Sequence, residues 1–220
     1  MINLELLTGS NAPAILENLV KNNAHEILQL TPEQHFKNMK ITHAELSDLD
    51  QVFEVCAQNR VANNREKFTD EEFAKNGFLM TQLTKERLEK MLADPQNYFL
   101  SVAKEGEEVV GYLAGYDATK IGQVFLDNNP IPEEMKSKKI FYYKQIAKKP
   151  GTKNIGGQLI VNMFDEVKKR GYFCVVCHIV HKPIYNQASI SFHQKFGFKE
   201  IGSVEEKENA VKMGVYLKVL

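Results

Sequence analysis

The chain has 220 residues, 43% of them hydrophobic, enough to bury a sizeable core in one domain with a small appendage. Lysine plus arginine and aspartate plus glutamate both number 28, so the formal net charge is zero and no bulk field draws the protein to nucleic acid or to an anionic membrane. No apolar run reaches the ~18 residues of a membrane span, the first residues lack the positive-then-apolar order of an export signal, and three cysteines make no disulfide framework, which together predict a protein of the reducing cytoplasm.

Residues 1–38 predict a helical extension: Ser10 caps a helix carrying Ile15, Leu16, Leu19 and Val20, and Thr31-Pro32-Glu33-Gln34 supplies a cap, a proline at the first helical position and a glutamine at the third. The main domain is expected over 39–220. It begins with a strand at 39–46, followed by a helix opened by Ser47 and Asp48 with Val52, Phe53, Val55 and Cys56 inward. Thr69-Asp70-Glu71-Glu72 and Thr84-Lys85-Glu86-Arg87 are two further helix starts, and Asp94-Pro95-Gln96-Asn97 is a turn. A hairpin of 98–104 and 108–117 turns around Glu105-Gly106-Glu107. Residues 118–138, with Asn128-Asn129-Pro130 and Pro132, read as a long irregular connection. A strand at 140–147 precedes an amphipathic helix over 156–170, with Leu159, Ile160, Met163, Phe164 and Val167 inside and Gly171 ending it. A strand at 172–180, a short helix at 187–196 and strands at 198–204 and 211–220 complete the chain.

The string CVVCHIVH at 174–181 has the outward form of a haem or zinc site. Within a strand, residues three apart point to opposite faces, so Cys174 and Cys177 cannot close on one metal. A buried strand with small thiols as packing is expected, and no metal is assigned.

The segment 146–160 follows a strand and opens a helix: Ile146, Ala147, Lys148, Lys149, Pro150, Gly151, Thr152, Lys153, Asn154, Ile155, Gly156 and Gly157 lead into Gln158-Leu159-Ile160. Such a loop can aim backbone N–H groups at an anion, aided by the helix dipole and by the three lysines; the alternative is a glycine-containing β–α turn that binds nothing. Gly151 and Gly156 have the spacing of a nucleotide P-loop, but Gly157 and Gln158 stand where Lys and Ser/Thr must be, so NTP hydrolysis is rejected.

Residues Asn186 through Phe198, NQASISFHQKFGF, resemble the N-x-x-[AS]-x-x-[FL]-[YH]-x-K-x-G-F signature of the GNAT superfamily of acyl-CoA-dependent N-acetyltransferases. The loop before them resembles that family's [QR]-x-x-G-x-[GA] acetyl-CoA loop, in the expected order and separated by one helix and one strand. The closing stretch resembles a bacterial branch known only as predicted acetyltransferases. Aligned from its helix, the loop places Asn154 at the first glycine, a position Asn tolerates because it accepts φ > 0.

The resemblance implies an α/β (α+β) fold with a mixed, mostly antiparallel sheet, flanked by helices and splayed between two central parallel strands at 140–147 and 172–180. It implies acetyl-CoA as acyl donor, with pantetheine along Ile146, Ala147 and Lys148, diphosphate on the amides of Thr152, Lys153, Asn154, Ile155, Gly156 and Gly157, and Asn186 as a further contact that also reads as a helix cap. An amine, small or on a protein, would attack the thioester directly. His193 stands where the family often has an acidic tyrosine, Tyr185 is a second candidate acid, and His178 a candidate base through water. The strand IFYYKQIA carries Gln145 and no carboxylate, so no base is assigned; Tyr142, Tyr143 and Lys144 are candidates to line the acceptor pocket, with packing as the alternative reading of the aromatic pair. A homodimer is compatible with this reading. The alternative is a non-catalytic acyl-CoA-binding or protein-interaction module on the same fold.

Overall fold

The hairpin expected at 98–117 is the root of a seven-stranded sheet. The computed structural model describes residues 39–206 and 210–220; the helical extension expected at 1–38 lies outside them. The strands are β1 (Met39–His43), β2 (Tyr98–Glu105), β3 (Glu108–Asp117), β4 (Ile140–Lys148), β5 (Cys174–Lys182), β6 (Lys199–Glu206) and β7 (Val211–Val219), in the spatial order β1-β2-β3-β4-β5-β7-β6. All neighbours run antiparallel except β4 and β5, which are parallel and joined by a crossover through a helix. This is the mixed, mostly antiparallel α/β sheet that the resemblance implies.

The helices are α1 (Leu49–Asn59), α2 (Val61–Asn64), α3 (Asp70–Asn76), α4 (Lys85–Ala93), α5 (Gln123–Asn128), α6 (Glu133–Lys136), α7 (Ile155–Lys169) and α8 (Gln187–Lys195). Thr69 and Glu72 form the capping box at α3, and Thr84 accepts from the Arg87 N–H to start α4. Gly171, at φ +77, ends α7 as a left-handed C-cap.

The sheet separates two cores. One face carries Tyr112, Ile140, Tyr142, Cys174 and Val176 against Val52 and Val55 of α1 and Leu88 and Met91 of α4. The other carries Phe141, Tyr143, Val175 and Cys177 against Leu159, Ile160, Met163 and Val167 of α7. Cys174 and Cys177 therefore lie in different cores, as strand alternation requires, and both are free thiols. Residues 118–138 are not irregular. They form a 3-10 turn (Ala118–Lys120), α5 and α6, pinned by buried Leu126 and Ile131. Each helix is too short to show a period in sequence, and Asn129 and the prolines mask what remains.

Candidate functional site

β4 and β5 pair only over their first four residues, from Ile140↔Cys174 to Tyr143↔Cys177; from Lys144 and His178 onward the ladder between them ends. On its other edge β4 stays bonded to β3 through Lys148, with an irregularity opposite Ala114/Gly115 that leaves Lys144 as the extra residue. Beyond the last rung, the β5-facing backbone edge of β4 has no strand partner among the described residues, and at its far end the Lys148 carbonyl accepts from Asn59 Nδ2 at 2.9 Å, which leaves Ile146 as the residue open to an extended ligand. The side chains there serve the fold: Ala147 is buried, and Ile146 packs against the α7 core.

At the end of this opening lies the loop. Asn154 adopts φ 60, ψ 0 and caps α7 without a side-chain bond. Among the described residues, no protein acceptor takes the N–H groups of Lys153, Asn154, Ile155, Gly156 or Gly157. Five amides without a protein acceptor at the start of a 15-residue helix are donors that an anion could take. The expected contribution of Thr152 is corrected: its N–H and hydroxyl both donate to Lys149 O, at 3.2 and 2.6 Å. Lys148 Nζ donates to Thr152 O at 2.5 Å and Lys149 pairs with Glu108, so Lys153 is the loop lysine whose charge is uncommitted among the described residues. Gly156 and Gly157 let α7 approach α8: a Cβ at Gly156 would sit 3.3 Å from the Phe192 ring, and one at Gly157 3.4 Å from Phe196. Ile155 is buried and offers only its amide.

Two histidines flank the last rung, one on each face. His193 is 4% exposed, and its ring lies 5.3 Å from that of Tyr143. Its Nδ1–H donates to Ser189 O at 2.7 Å, leaving Nε2 as an acceptor. Burial depresses its pKa to about 4, against the partial support of Ser189 O. His193 is thus a neutral acceptor near neutral pH, which corrects the expected role of proton donor. The Tyr143 hydroxyl beside it is buried and has no partner among the described residues, and burial pushes its pKa well up. On the opposite face, His178 Nε2–H donates to Asn129 Oδ1 at 2.6 Å, while Asn129 Nδ2 donates to Phe125 O at 2.7 Å, fixing the amide. Nδ1 is left to face the Tyr142 hydroxyl at 3.4 Å. Burial, and then the charge of Lys144, bring the His178 pKa down to about 4.

Two further expected site residues are Tyr185 and Asn186. Tyr185 is 47% exposed, its ring tilted against that of His181 at 5.2 Å. Asn186 is spent on structure: its Oδ1 accepts from the Ser189 N–H at 3.2 Å and its Nδ2 donates to Phe78 O at 3.1 Å, so its cap reading holds and its cofactor role is withdrawn. Among the described residues no group of His, Cys, Asp or Glu is arranged to hold a metal.

Gln145 lies on β4, a strand that carries no carboxylate. It is 6% exposed, accepts from the Tyr112 hydroxyl at 3.0 Å and donates to Thr81 O at 2.7 Å. Gln145→Glu would set a carboxylate oxygen against that carbonyl, with an expected loss of about 2–4 kcal/mol. Burial would raise the new carboxyl's pKa, so the deficit should widen as pH rises through it. Urea unfolding at pH 5 and pH 8 checks this, and an equal deficit at both values would refute it.

Seven strands in this order, with a parted parallel pair leading to open amides at a helix start, define the GNAT type of acetyltransferase fold. The model of the acetyltransferase (GNAT) family matches residues 64–198, and the chain belongs to that family. Among solved structures it is similar to the paia N-acetyltransferase of Thermoplasma acidophilum in complex with coenzyme A (TM-score 0.55, 16% identity, covering 83% of this chain and 99% of that one). It is also similar to an N-acetyltransferase of Staphylococcus aureus Mu50 (TM-score 0.56, 19% identity, 83% and 99%) and to yncA of Salmonella typhimurium, solved with its cofactor acetyl-CoA (TM-score 0.55, 17% identity, 84% and 95%). Curated proteins yield no match.

Proposed function

We propose that the protein transfers an acetyl group from acetyl-CoA to an amine by direct attack on the thioester. The observation that carries this reading is the parting of β4 from β5 after Tyr143↔Cys177, which opens a strand edge leading to five amides without a protein acceptor. The β4 edge at Ile146 suits an amide-bearing pantetheine arm, and the amides of residues 153–157 with Lys153 suit a diphosphate. A bound thioester supplies the activated acyl carbon. The amine nitrogen bonds to that carbon, the C–S bond breaks, and the second nitrogen proton passes to the departing sulfur, which leaves as the thiol. His178, neutral near pH 7 and held in one tautomer by Asn129, takes the ammonium proton at Nδ1 by way of water and the Tyr142 hydroxyl that faces that nitrogen; the Tyr143 hydroxyl, protonated throughout, is the donor at the last rung that steadies the sulfur.

Acetyl-CoA should raise the melting temperature, by about 2–3 kcal/mol of linkage at 100 times its Kd, more than ATP does, and thiol should be released when an amine is added. A shift without thiol release across an amine panel favours the non-catalytic acyl-CoA-binding module. No CoA-linked shift defeats both readings.

A further inference from the structure

The face that carries His178 is walled by aromatic rings in mutual contact: Tyr98 with Tyr116 at 5.7 Å, Tyr116 with Tyr142 at 5.4 Å, Tyr142 with Phe125 at 5.0 Å, and Phe125 stacked on His178 at 5.7 Å. The Arg87 guanidinium of α4 lies over this wall, 5.2 Å from the Tyr98 centroid and 5.1 Å from that of Tyr116. Lys144, the extra residue of the β4 irregularity, is half-buried and within the electrostatic reach of Arg87 and of His178. Among the described residues neither cation forms an ion pair with a carboxylate; Glu206, exposed at the end of β6, acts on Lys144 only from beyond pairing distance.

Elsewhere the fold treats a shielded lysine differently. Lys104 is neutralised by buried Asp48 at 2.7 Å. Arg87 over the rings and Lys144 on the neighbouring strand, with no such neutralisation, disfavour each other, and burial together with Arg87 makes Lys144 hold its proton less tightly than usual. An anion arriving between them would relieve this.

We infer that the acceptor amine carries a carboxylate, and that Arg87 and Lys144 receive it. The inference rests on the acetyltransferase reading and names its acceptor class. The planar guanidinium offers two parallel N–H donors to a carboxylate, and Lys144 adds a point charge beside the place where β4 leaves β5. A carboxylate held there leaves the amine on the side of Lys144, whose charge reaches His178, and the apolar remainder of the molecule meets Phe125, the partly exposed phenyl ring of the wall.

The test uses matched amines, each as the amino acid and as its carboxamide, with the full chain and acetyl-CoA. The free acids should show kcat/KM higher by about tenfold or more, the scale of one charge-assisted pair, and Arg87→Gln and Lys144→Met should each collapse that preference through KM. Arg87→Lys, which keeps charge without the fork, should retain part of it. Calorimetric binding of the same pairs to the unliganded protein reads the inference without turnover. Acid-selective binding that Arg87→Gln abolishes supports it even if no thiol is released, an outcome that sinks only the transferase reading. Equal binding and turnover of acids and carboxamides, or variants that leave the preference intact while acetyl-CoA still raises the melting temperature, overturn it.

Discussion

Acidification from pH 7 to about pH 4 should strip the protein of roughly 6 kcal/mol of stability, a loss comparable with the whole margin of many domains. The reason is the pair of imidazoles flanking the last rung. Each has its pKa carried by burial from an ordinary 6.5 to about 4. A group whose folded pKa lies below its unfolded one binds fewer protons folded than unfolded throughout that window. Stability is therefore whole above about pH 6.5, falls as pH drops toward 4, and is fully reduced below it. Each histidine contributes on the order of 3 kcal/mol. His193→Phe keeps a ring against Tyr143 and Phe198, and His178→Gln keeps a donor for Asn129 Oδ1. Each variant should flatten about half of the decline when unfolding free energy is measured by urea titration at several pH values. A wild-type free energy level between pH 6.5 and 4 would show that neither imidazole is held neutral by the fold, and the assignment of His178 as a neutral base would go with it.

What the sequence made legible were the features whose causes are local. Asn154 was expected to tolerate a positive φ, and it stands at φ 60 at the head of α7. Alternation put Cys174 and Cys177 on opposite faces, and the caps at Thr69 and Thr84 are where their residue types place them. The site itself depends on partners remote in sequence. Gln145 is held by Tyr112, 33 positions away, and by Thr81, 64 positions away. His178 owes its tautomer to Asn129, inside a segment that reads as loop, and Arg87 gave no sign beyond a helix start. His193 sits in a recognisable motif, but its protonation depends on burial against Tyr143 and Phe198, which no spacing along the chain encodes. The parting of two strands is likewise a property of the pair. Neither IFYYKQIA nor CVVCHIVHK shows where their ladder stops.

Gly115 is where the strongest steric prediction falls. It lies opposite Tyr143 in β3, at the irregularity that leaves Lys144 unpaired. A Cβ there would sit 2.4 and 2.5 Å from atoms of the Phe141 ring and 2.8 Å from the carbonyl oxygen of Tyr142. The ring cannot retreat, being 2% exposed with edge contacts to Phe99 at 6.1 Å and Tyr172 at 5.4 Å. The carbonyl cannot retreat either without moving the last rungs between β4 and β5. Gly115→Ala should therefore lose about 2–3 kcal/mol and Gly115→Val about 4, which for a chain of this size lowers the melting temperature by roughly 5–15 °C. Gly151→Ala is the contrast: no atom lies within 4 Å of its Cβ, and the expected penalty of about 1 kcal/mol comes only from its φ of +84. Phe141→Leu in the Gly115→Ala background should recover part of the loss, because it removes the ring contact and leaves the carbonyl contact. Since that carbonyl belongs to the strand whose edge would receive pantetheine, Gly115→Ala should also shrink the melting shift produced by acetyl-CoA, while Gly106→Ala, at a turn with nothing within 4 Å, should leave it whole. A Gly115→Val protein as stable as wild type would mean that β4 can slide past β3, and a strand free to slide could not hold the gap beside β5 open.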